Sequence, residues 1–118
     1  MLACDYRIGA DGNYRVGLNE TLIGMTMHHF GIELARCRLP ANFLNRCVFN
    51  AEIFSPREAI AAGFYDTVVS QKDLLETINS AVDTFTKLNM SAFKGSKLKA
   101  RADTLALLSE CIQKDLDM

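Results

Sequence analysis

Residues 16–24 read Val-Gly-Leu-Asn-Glu-Thr-Leu-Ile-Gly, a stretch in which a single carboxylate, Glu20, stands among apolar residues between two glycines. The stretch follows a short extended segment, Tyr14 to Val16, and catalytic groups collect where strands end. Glu20 is therefore a candidate general acid/base. A glutamate that caps a helix or lies in a surface turn has the same local pattern, and this alternative stays open.

The residues before this stretch predict another short strand. Tyr6 to Ile8 is an extended-type segment, and the turn-forming residues 9–13, Gly-Ala-Asp-Gly-Asn, separate it from Tyr14 to Val16. The pattern predicts a strand, a loop and a strand that lead into Glu20.

Two helices are predicted directly after Glu20. Apolar residues fall at helical spacing from Met25 to Arg38, and Leu39-Pro40 closes that segment. A second, shorter helix is expected from Ala41 to Val48.

Residues 55–58, Ser-Pro-Arg-Glu, form a capping box that predicts the start of a further helix. Gly63 is expected to end this helix, and the β-branched and aromatic residues Phe64 to Val69 predict a strand after it. Ser70 with Asp73 has the pattern of another helix N-cap.

The last third of the chain predicts two amphipathic helices, Lys72 to Leu88 and about Ser96 to Leu116, each with one apolar face. The chain is therefore predominantly helical, with three short strands. Because so few strands do not form a stable sheet alone, they are expected to pair with further strands.

Length and charge exclude several classes of protein. The 118 residues suffice for one domain, and 13 basic against 14 acidic residues give no field that attracts nucleic acid or an anionic membrane. No apolar run reaches the roughly 20 residues that span a bilayer, so a soluble cytoplasmic protein is expected. The four cysteines lack a Cys-x-x-Cys pair and are predicted to be buried thiols of a reducing compartment.

Other kinds of site find little support in the sequence. His28 and His29 point about 100 degrees apart on a helix and have no third ligand at suitable spacing, so a metal is not expected. No Gly-x-Gly-x-x-Gly follows a strand, and no serine or cysteine nucleophile motif is present. A basic cluster, defined as Lys94, Lys97, Lys99 and Arg101, has the pattern of a solvated helix face.

Two motifs resemble the crotonase family of acyl-CoA enzymes, which includes the enoyl-CoA hydratases and isomerases. The first consists of residues 3–9, Ala-Cys-Asp-Tyr-Arg-Ile-Gly, followed by residues 16–24, and the second consists of residues 51–69. The resemblance implies an α/β fold, the C-terminal part of a ClpP/crotonase-like ββα spiral followed by a helical trimerisation region. Residues 1–70 would end the spiral core, and residues 71–118 would form the helical oligomerisation region.

The resemblance also implies a function. Glu20 matches the family's proton-transferring glutamate, and the substrate would be an acyl-CoA thioester, with no metal or redox cofactor. Residues 18–21, Leu-Asn-Glu-Thr, resemble the isomerase branch more than the Gln-Pro-Glu of hydratases. The family's second glutamate would lie two residues before Met1, so hydration and isomerisation both stay open.

Further family features can be carried over to this chain only as expectations. Met25, Met27 and Phe30 would line the wall of the acyl pocket, although ordinary core packing is the alternative. The basic cluster could contact a phosphate of coenzyme A. A homo-oligomer, a trimer or hexamer, is expected.

The resemblance further predicts that this chain is a C-terminal fragment. The family's glycine-rich segments, whose backbone N–H groups bind the thioester oxygen, would precede Met1, and loss of one such donor costs about 2.7 to 4 kcal/mol. The chain alone is therefore predicted to be inactive. The alternative is a truncated, non-catalytic module whose two amphipathic helices pack against like subunits.

Overall fold

Two pairs of short strands and five helices make up the protein, seen here in a computed structural model that describes residues 1–118. The strands are β1 (Ile8–Ala10), β2 (Val16–Gly17), β3 (Ile53–Phe54) and β4 (Thr67–Val69). The helices are α1 (His29–Arg38), α2 (Ala41–Val48), α3 (Glu58–Ala62), α4 (Leu74–Thr86) and α5 (Met90–Leu116). Two 3-10 turns cover Thr21–Ile23 and Gln71–Asp73. The predicted helical predominance is confirmed.

Strand β1 pairs in parallel with β4, with Ile8 opposite Thr67 and Ala10 opposite Val69. The predicted strand from Tyr6 to Ile8 is therefore displaced by two residues, because pairing with β4 extends the strand through Gly9, a residue typical of turns. Gly9 suits this place because a Cβ atom there would lie 2.8 Å from the Tyr65 ring.

Strand β2 pairs antiparallel with β3, with Val16 opposite Phe54 and Gly17 opposite Ile53. The sequence analysis did not predict β3, so four strands are present instead of three. At Gly17 a Cβ atom would lie 2.9 Å from the backbone oxygen of Glu52, which explains why glycine allows so close a pairing. This pairing fixes the chain three residues before Glu20.

Helix α1 begins at His29 and not at Met25, so the predicted start is wrong by four residues. The side chain of Asp115 accepts hydrogen bonds from the backbone N–H groups of His29 (2.8 Å) and Phe30 (2.9 Å), and the ring of His28 accepts one from Gly31 (3.1 Å). These acceptors satisfy three N–H groups of the first helical turn and so set where the helix starts.

The predicted capping box at the start of α3 is confirmed. The Ser55 N–H donates to the Glu58 side chain at 2.8 Å, and the Glu58 N–H donates to the Ser55 hydroxyl at 3.3 Å. Gly63 ends the helix with a φ of 94°, a left-handed conformation that glycine adopts without strain. The strand that follows is shorter than predicted, because Phe64 turns into the core instead of joining β4.

Helices α4 and α5 form as predicted, but α5 begins six residues earlier than Ser96. Asn89 caps it, with its side-chain oxygen accepting from the Ala92 N–H at 2.9 Å. Ser70 directly precedes the 3-10 turn Gln71–Asp73, but its hydroxyl accepts no backbone hydrogen bond of the kind that an N-cap side chain usually makes. The hydroxyl instead donates to the Asp73 carboxylate at 2.7 Å. None of the helices is long and apolar enough to cross a membrane.

The hydrophobic core lies between the β2–β3 pair and helices α1, α2 and α3. Ten buried residues form it: Val16, Met27, Ala35, Leu39, Cys47, Val48, Phe54, Ala59, Ala62 and Phe64. The prediction of four buried cysteines is wrong for two of them, since Cys4 and Cys37 are exposed. Cys37 lies two residues beyond the fully buried Ala35, which turns it to the other side of α1.

Candidate functional site

Glu20 lies three residues after the end of β2 and directly precedes the 3-10 turn Thr21–Ile23. Its backbone oxygen accepts hydrogen bonds from the N–H groups of Ile23 (3.1 Å) and Met25 (2.8 Å). Gly24, with a φ of 78°, closes the turn. The strand pairing before Glu20 and the turn after it therefore define where its side chain starts.

The carboxylate of Glu20 is only partly exposed, and its Oε2 atom is buried without a hydrogen-bond partner. An unpaired buried carboxylate oxygen costs free energy, because the group has lost water and gained no donor. Such an oxygen can exchange a proton with a ligand placed beside it. No other carboxylate of the chain is in this state.

A groove of about 380 Å³ lies beside the turn that follows Glu20. It is lined by Thr21, Gly24, Met25, Thr26, Met27, Ile32, Val48 and Phe49. Of the three residues predicted to form a pocket wall, Met25 and Met27 contribute to this groove. Phe30 does not, and its ring instead packs edge-on against the ring of His28, 6.4 Å away.

Met25 and Met27 differ in their surroundings. Met25 is 57% exposed at the mouth of the groove, whereas Met27 is 8% exposed and belongs to the hydrophobic core. Met27 thus packs in the core, as the alternative in the sequence analysis has it, and also lines the groove, while its contact with an acyl chain stays a prediction. Flexible methionine side chains suit an apolar wall that must adapt its shape.

Thr21 is a residue that the sequence analysis did not single out. Its hydroxyl donates a hydrogen bond of 3.0 Å to the backbone oxygen of Val48, near the end of α2. The only sign of this hydrogen bond in the sequence is the presence of a hydroxyl side chain directly after the candidate acid/base.

The two histidines serve the start of α1, where His28 is the N-cap residue. The chain contains no group of three or more histidine, cysteine, aspartate or glutamate side chains that could hold a metal ion.

The basic cluster divides into two pairs. Lys97 and Arg101 both contact the Asp5 carboxylate, at 2.6 and 3.1 Å, and the hydrogen bond from Lys97 lowers the pKa of Asp5 below its usual range. Lys94 and Lys99 lie exposed on α5 and form no ion pair within the chain. Two of the four cations thus share one carboxylate of the segment that precedes β1.

A second, larger groove of about 770 Å³ lies between α4, the start of α5 and the segment that leads into β1. Most of its lining is apolar, including Tyr6, Ile78, Val82, Phe85 and Met90. We call it the α4 groove. Glu20 is not among its lining residues.

Comparison with known proteins places the whole chain in one family. The family model described as enoyl-CoA hydratase/isomerase matches residues 1–118. A human protein named enoyl-CoA delta isomerase 1, mitochondrial, is 30% identical over 118 residues, which are 99% of this chain and 38% of that protein.

Solved structures agree with this match. A crystal structure of an enoyl-CoA hydratase/isomerase family protein from Pseudomonas syringae has a TM-score of 0.94 at 50% identity, covering 97% of this chain and 50% of that one. An enoyl-CoA hydratase from Mycobacterium marinum has a TM-score of 0.87 at 31% identity, covering 95% and 49%. The chain thus spans about half the length of these structures, and the predicted α/β crotonase fold is confirmed.

Proposed function

The chain belongs to the enoyl-CoA hydratase/isomerase family, and on that premise we propose that Glu20 transfers the proton in a reaction of an acyl-CoA thioester. The observation that carries the proposal is the buried, unpartnered Oε2 of Glu20, just before the 3-10 turn that follows β2. A carboxylate with no partner inside the protein is free to act on a ligand.

The chemistry follows from the acidity of carbon next to a thioester. In a double-bond shift, Glu20 takes a proton from the carbon beside the thioester carbonyl, and the electron pair moves onto the carbonyl oxygen. Glu20 then returns the proton to the far end of the shifting double bond. In hydration, it would share the handling of water with a second acid/base.

We favour the isomerase-type reaction and keep hydration beside it. Asn19-Glu20 supports the former, as does the name of the human relative, whereas the relative from Mycobacterium marinum is named a hydratase. Neither reaction needs a redox change or a metal, so we propose that none is used.

The groove beside the turn that follows Glu20 is our candidate for contact with the acyl chain, although Glu20 itself is not among its lining residues. Met25 and Met27 offer it apolar surface, and Thr21 and Val48 also line it. Phe30 would act on this wall only through the position of α1, because its ring lies outside the groove.

The 118-residue chain by itself is expected to turn over no enoyl-CoA. A negative charge that develops on the thioester oxygen needs N–H donors, and the donors implied by the family resemblance lie outside this sequence. Purified chain mixed with a 3-enoyl-CoA or a 2-enoyl-CoA tests this expectation by the absorbance of the conjugated thioester. Turnover that disappears in Glu20→Gln would overturn the expected inactivity while supporting the role of Glu20.

The role of Glu20 can be tested in a chimera that joins residues 1–118 to the half of the Pseudomonas syringae protein outside the match. Glu20→Gln keeps the shape and removes the base, so kcat for an enoyl-CoA substrate should fall by about 10²-fold or more. Glu110→Gln on the exposed side of α5 is the matched control and should leave kcat unchanged. An active chimera whose kcat survives Glu20→Gln would refute the proposal.

A second candidate function is a non-catalytic, self-associating module, and the exposed apolar side chains of α4 and α5 favour it. Leu75, Val82, Leu88, Leu105 and Leu116 are each between 46% and 74% exposed. Large apolar side chains left exposed along two helices are typical of a surface that packs against another chain. Light scattering of the purified chain should give a homo-oligomer mass that falls in Val82→Lys, and a monomer at all concentrations would count against the module.

A further inference from the structure

The position of the Glu20 carboxylate depends on its backbone, because no side chain holds it. Its buried Oε2 accepts no hydrogen bond, and no cation pairs with it within the chain. Its direction therefore depends on the backbone at Glu20, which the β2–β3 pairing holds on one side and the 3-10 turn holds on the other. Anything that fixes this turn helps to fix that backbone.

The backbone hydrogen bonds of the turn are all local. Ile23 N–H reaches the Asn19 and Glu20 oxygens at 3.2 and 3.1 Å, Gly24 N–H reaches the Thr21 oxygen at 3.2 Å, and Met25 N–H reaches the Glu20 oxygen. These bonds shape the turn but do not fasten it to the rest of the protein.

One hydrogen bond does fasten it. The Thr21 hydroxyl donates to the backbone oxygen of Val48, 27 residues further along the chain. Val48 is 4% exposed, and its carbonyl is one of the last of α2, which the helix itself leaves without a donor. Loss of the hydroxyl would leave a carbonyl of this buried residue unpaired, so the bond is favoured over a free turn. The β-branched threonine adds a restricted χ1 angle.

We infer that Thr21 is a positioning residue for Glu20, which ties the 3-10 turn to the end of α2 and so fixes the backbone from which the Glu20 side chain projects. The inference rests on the proposed catalytic role of Glu20. The tether between the 3-10 turn and α2 rests only on the hydrogen bond of Thr21 to Val48. The same bond joins the residue after Glu20 to Val48, and both Thr21 and Val48 line the groove, so the turn and this part of the groove wall are held together.

Hydrogen exchange of the 118-residue chain tests the tether without any substrate. In Thr21→Val, which keeps the shape and removes the donor, the amides of Ile23 and Met25 should exchange about fivefold faster, the effect of one lost hydrogen bond. The Phe64 amide, which bonds to the Ala59 oxygen at 2.9 Å in the core, serves as the internal reference. The exchange rate of the Phe64 amide should change less in Thr21→Val than the exchange rates of the Ile23 and Met25 amides.

Two further variants separate positioning from general stability. Thr21→Ser retains the hydroxyl and should restore slow exchange, and Thr26→Val removes a hydroxyl from the same groove that makes no hydrogen bond and should have no effect. The carbon-13 resonance of the Glu20 carboxyl should shift in Thr21→Val and return in Thr21→Ser.

The inference is overturned if Ile23, Met25 and Phe64 accelerate equally in Thr21→Val, if serine does not restore the turn, or if the Glu20 carboxyl resonance stays in place. Because none of these measurements needs turnover, they can fail while the chimera shows that Glu20 is the base. Equally, the tether can hold while Glu20→Gln leaves the chimera active.

Discussion

The part of the chain up to residue 70 buries its apolar side chains, whereas residues 71–118 leave most of theirs exposed. Phe64 is 1% exposed, while Leu75, at the start of α4, is 69% exposed. Of 16 buried residues only Cys111 lies in the second region. Both regions show clear apolar periodicity, so periodicity predicts which face is apolar and not whether this chain covers it.

The second region packs on the first mainly where α5 lies along α1, and several polar and aromatic contacts add to this packing. Lys97 and Arg101 contact Asp5, the Asp115 carboxylate binds the start of α1, and the rings of Tyr6 and Phe85 meet edge-on at 5.2 Å. The first region is held by close packing of a shared core. The two regions should therefore respond differently to the same kind of substitution.

The largest expected difference concerns matched truncations. Phe64→Ala removes a fully buried ring and should lower the free energy of unfolding by about 3 to 5 kcal/mol. Leu75→Ala on α4 should change it by less than about 0.5 kcal/mol, because that side chain is already largely in water. Urea denaturation followed by circular dichroism measures both. Equal losses of unfolding free energy in the two variants would contradict the view that residues 1–70 bury their apolar side chains and residues 71–118 do not.

The next effect concerns Arg7, which is 8% exposed and has two side-chain nitrogens, Nε and Nη1, without partners. Asp66 lies 3.7 Å from its Nε and accepts from its backbone N–H at 2.7 Å. Asp66→Ala should cost about 2 kcal/mol, reduced from a fully buried pair because Asp66 is partly exposed. Arg7→Met should be neutral or stabilising by up to about 1 kcal/mol. Urea denaturation measures both changes. A larger loss of stability in Arg7→Met than in Asp66→Ala would show that the Arg7 guanidinium stabilises the fold in spite of its unpaired nitrogens.

The third prediction concerns the Asp115 cap of α1. Burial acts to raise the pKa of Asp115, but hydrogen bonds from the N–H groups of Phe30 and His29, with the nearby imidazoles of His29 and His28, bring it below its ordinary value of 3.8. The stabilising carboxylate is therefore present above pH 3.8 and is lost as the pH falls through the lower folded pKa.

Hydrogen exchange at the amides of His29 and Phe30 measures this cap. Both amides should exchange about fivefold faster in Asp115→Ala, and exchange in the native chain, corrected for its intrinsic pH dependence, should accelerate only below pH 3.8. Asp103→Ala, also on α5 and free of hydrogen bonds, is the control. A cap that opens near neutral pH would show that the carboxylate is not the acceptor.

The smallest expected effect concerns the ion pair of Lys97 and Asp5, both of which are partly exposed. Lys97→Gln should cost about 0.5 kcal/mol at low salt and nothing measurable near 1 M salt, where screening removes surface attraction. Lys99→Gln, which has no partner, should have no effect under either condition. Thermal unfolding at two salt concentrations measures the difference, and a salt-independent loss would assign the contact to packing instead.

The sequence predicted those features that depend on neighbouring residues. The Ser55–Glu58 capping box, the bounds of α2 and the end of α3 at Gly63 follow from local hydrogen bonding and backbone preference. The family also followed from two local motifs, and the match over residues 1–118 confirms it. The catalytic role of Glu20 stays a prediction, as do the pocket wall, the cytoplasmic location and the absence of a cofactor.

The features that were missed join residues far apart in the chain. The register of β1 is set by β4, β3 exists because β2 lies beside it, and α1 starts where Asp115 supplies acceptors. The Thr21–Val48 hydrogen bond spans 27 residues. Local propensity holds no information about such partners, so these bounds and contacts could not be read from the sequence.

Helix α5 is also a mechanical element. Its contacts with Asp5 and with the start of α1 are made by Lys97 and Asp115, which stand 18 residues apart, or about 27 Å along a helix. A continuous helix resists compression over that length, so α5 keeps Lys97 and Asp115 at a fixed spacing. The segment before β1 and the beginning of α1 cannot slide independently along this axis, and a push on one end displaces the other.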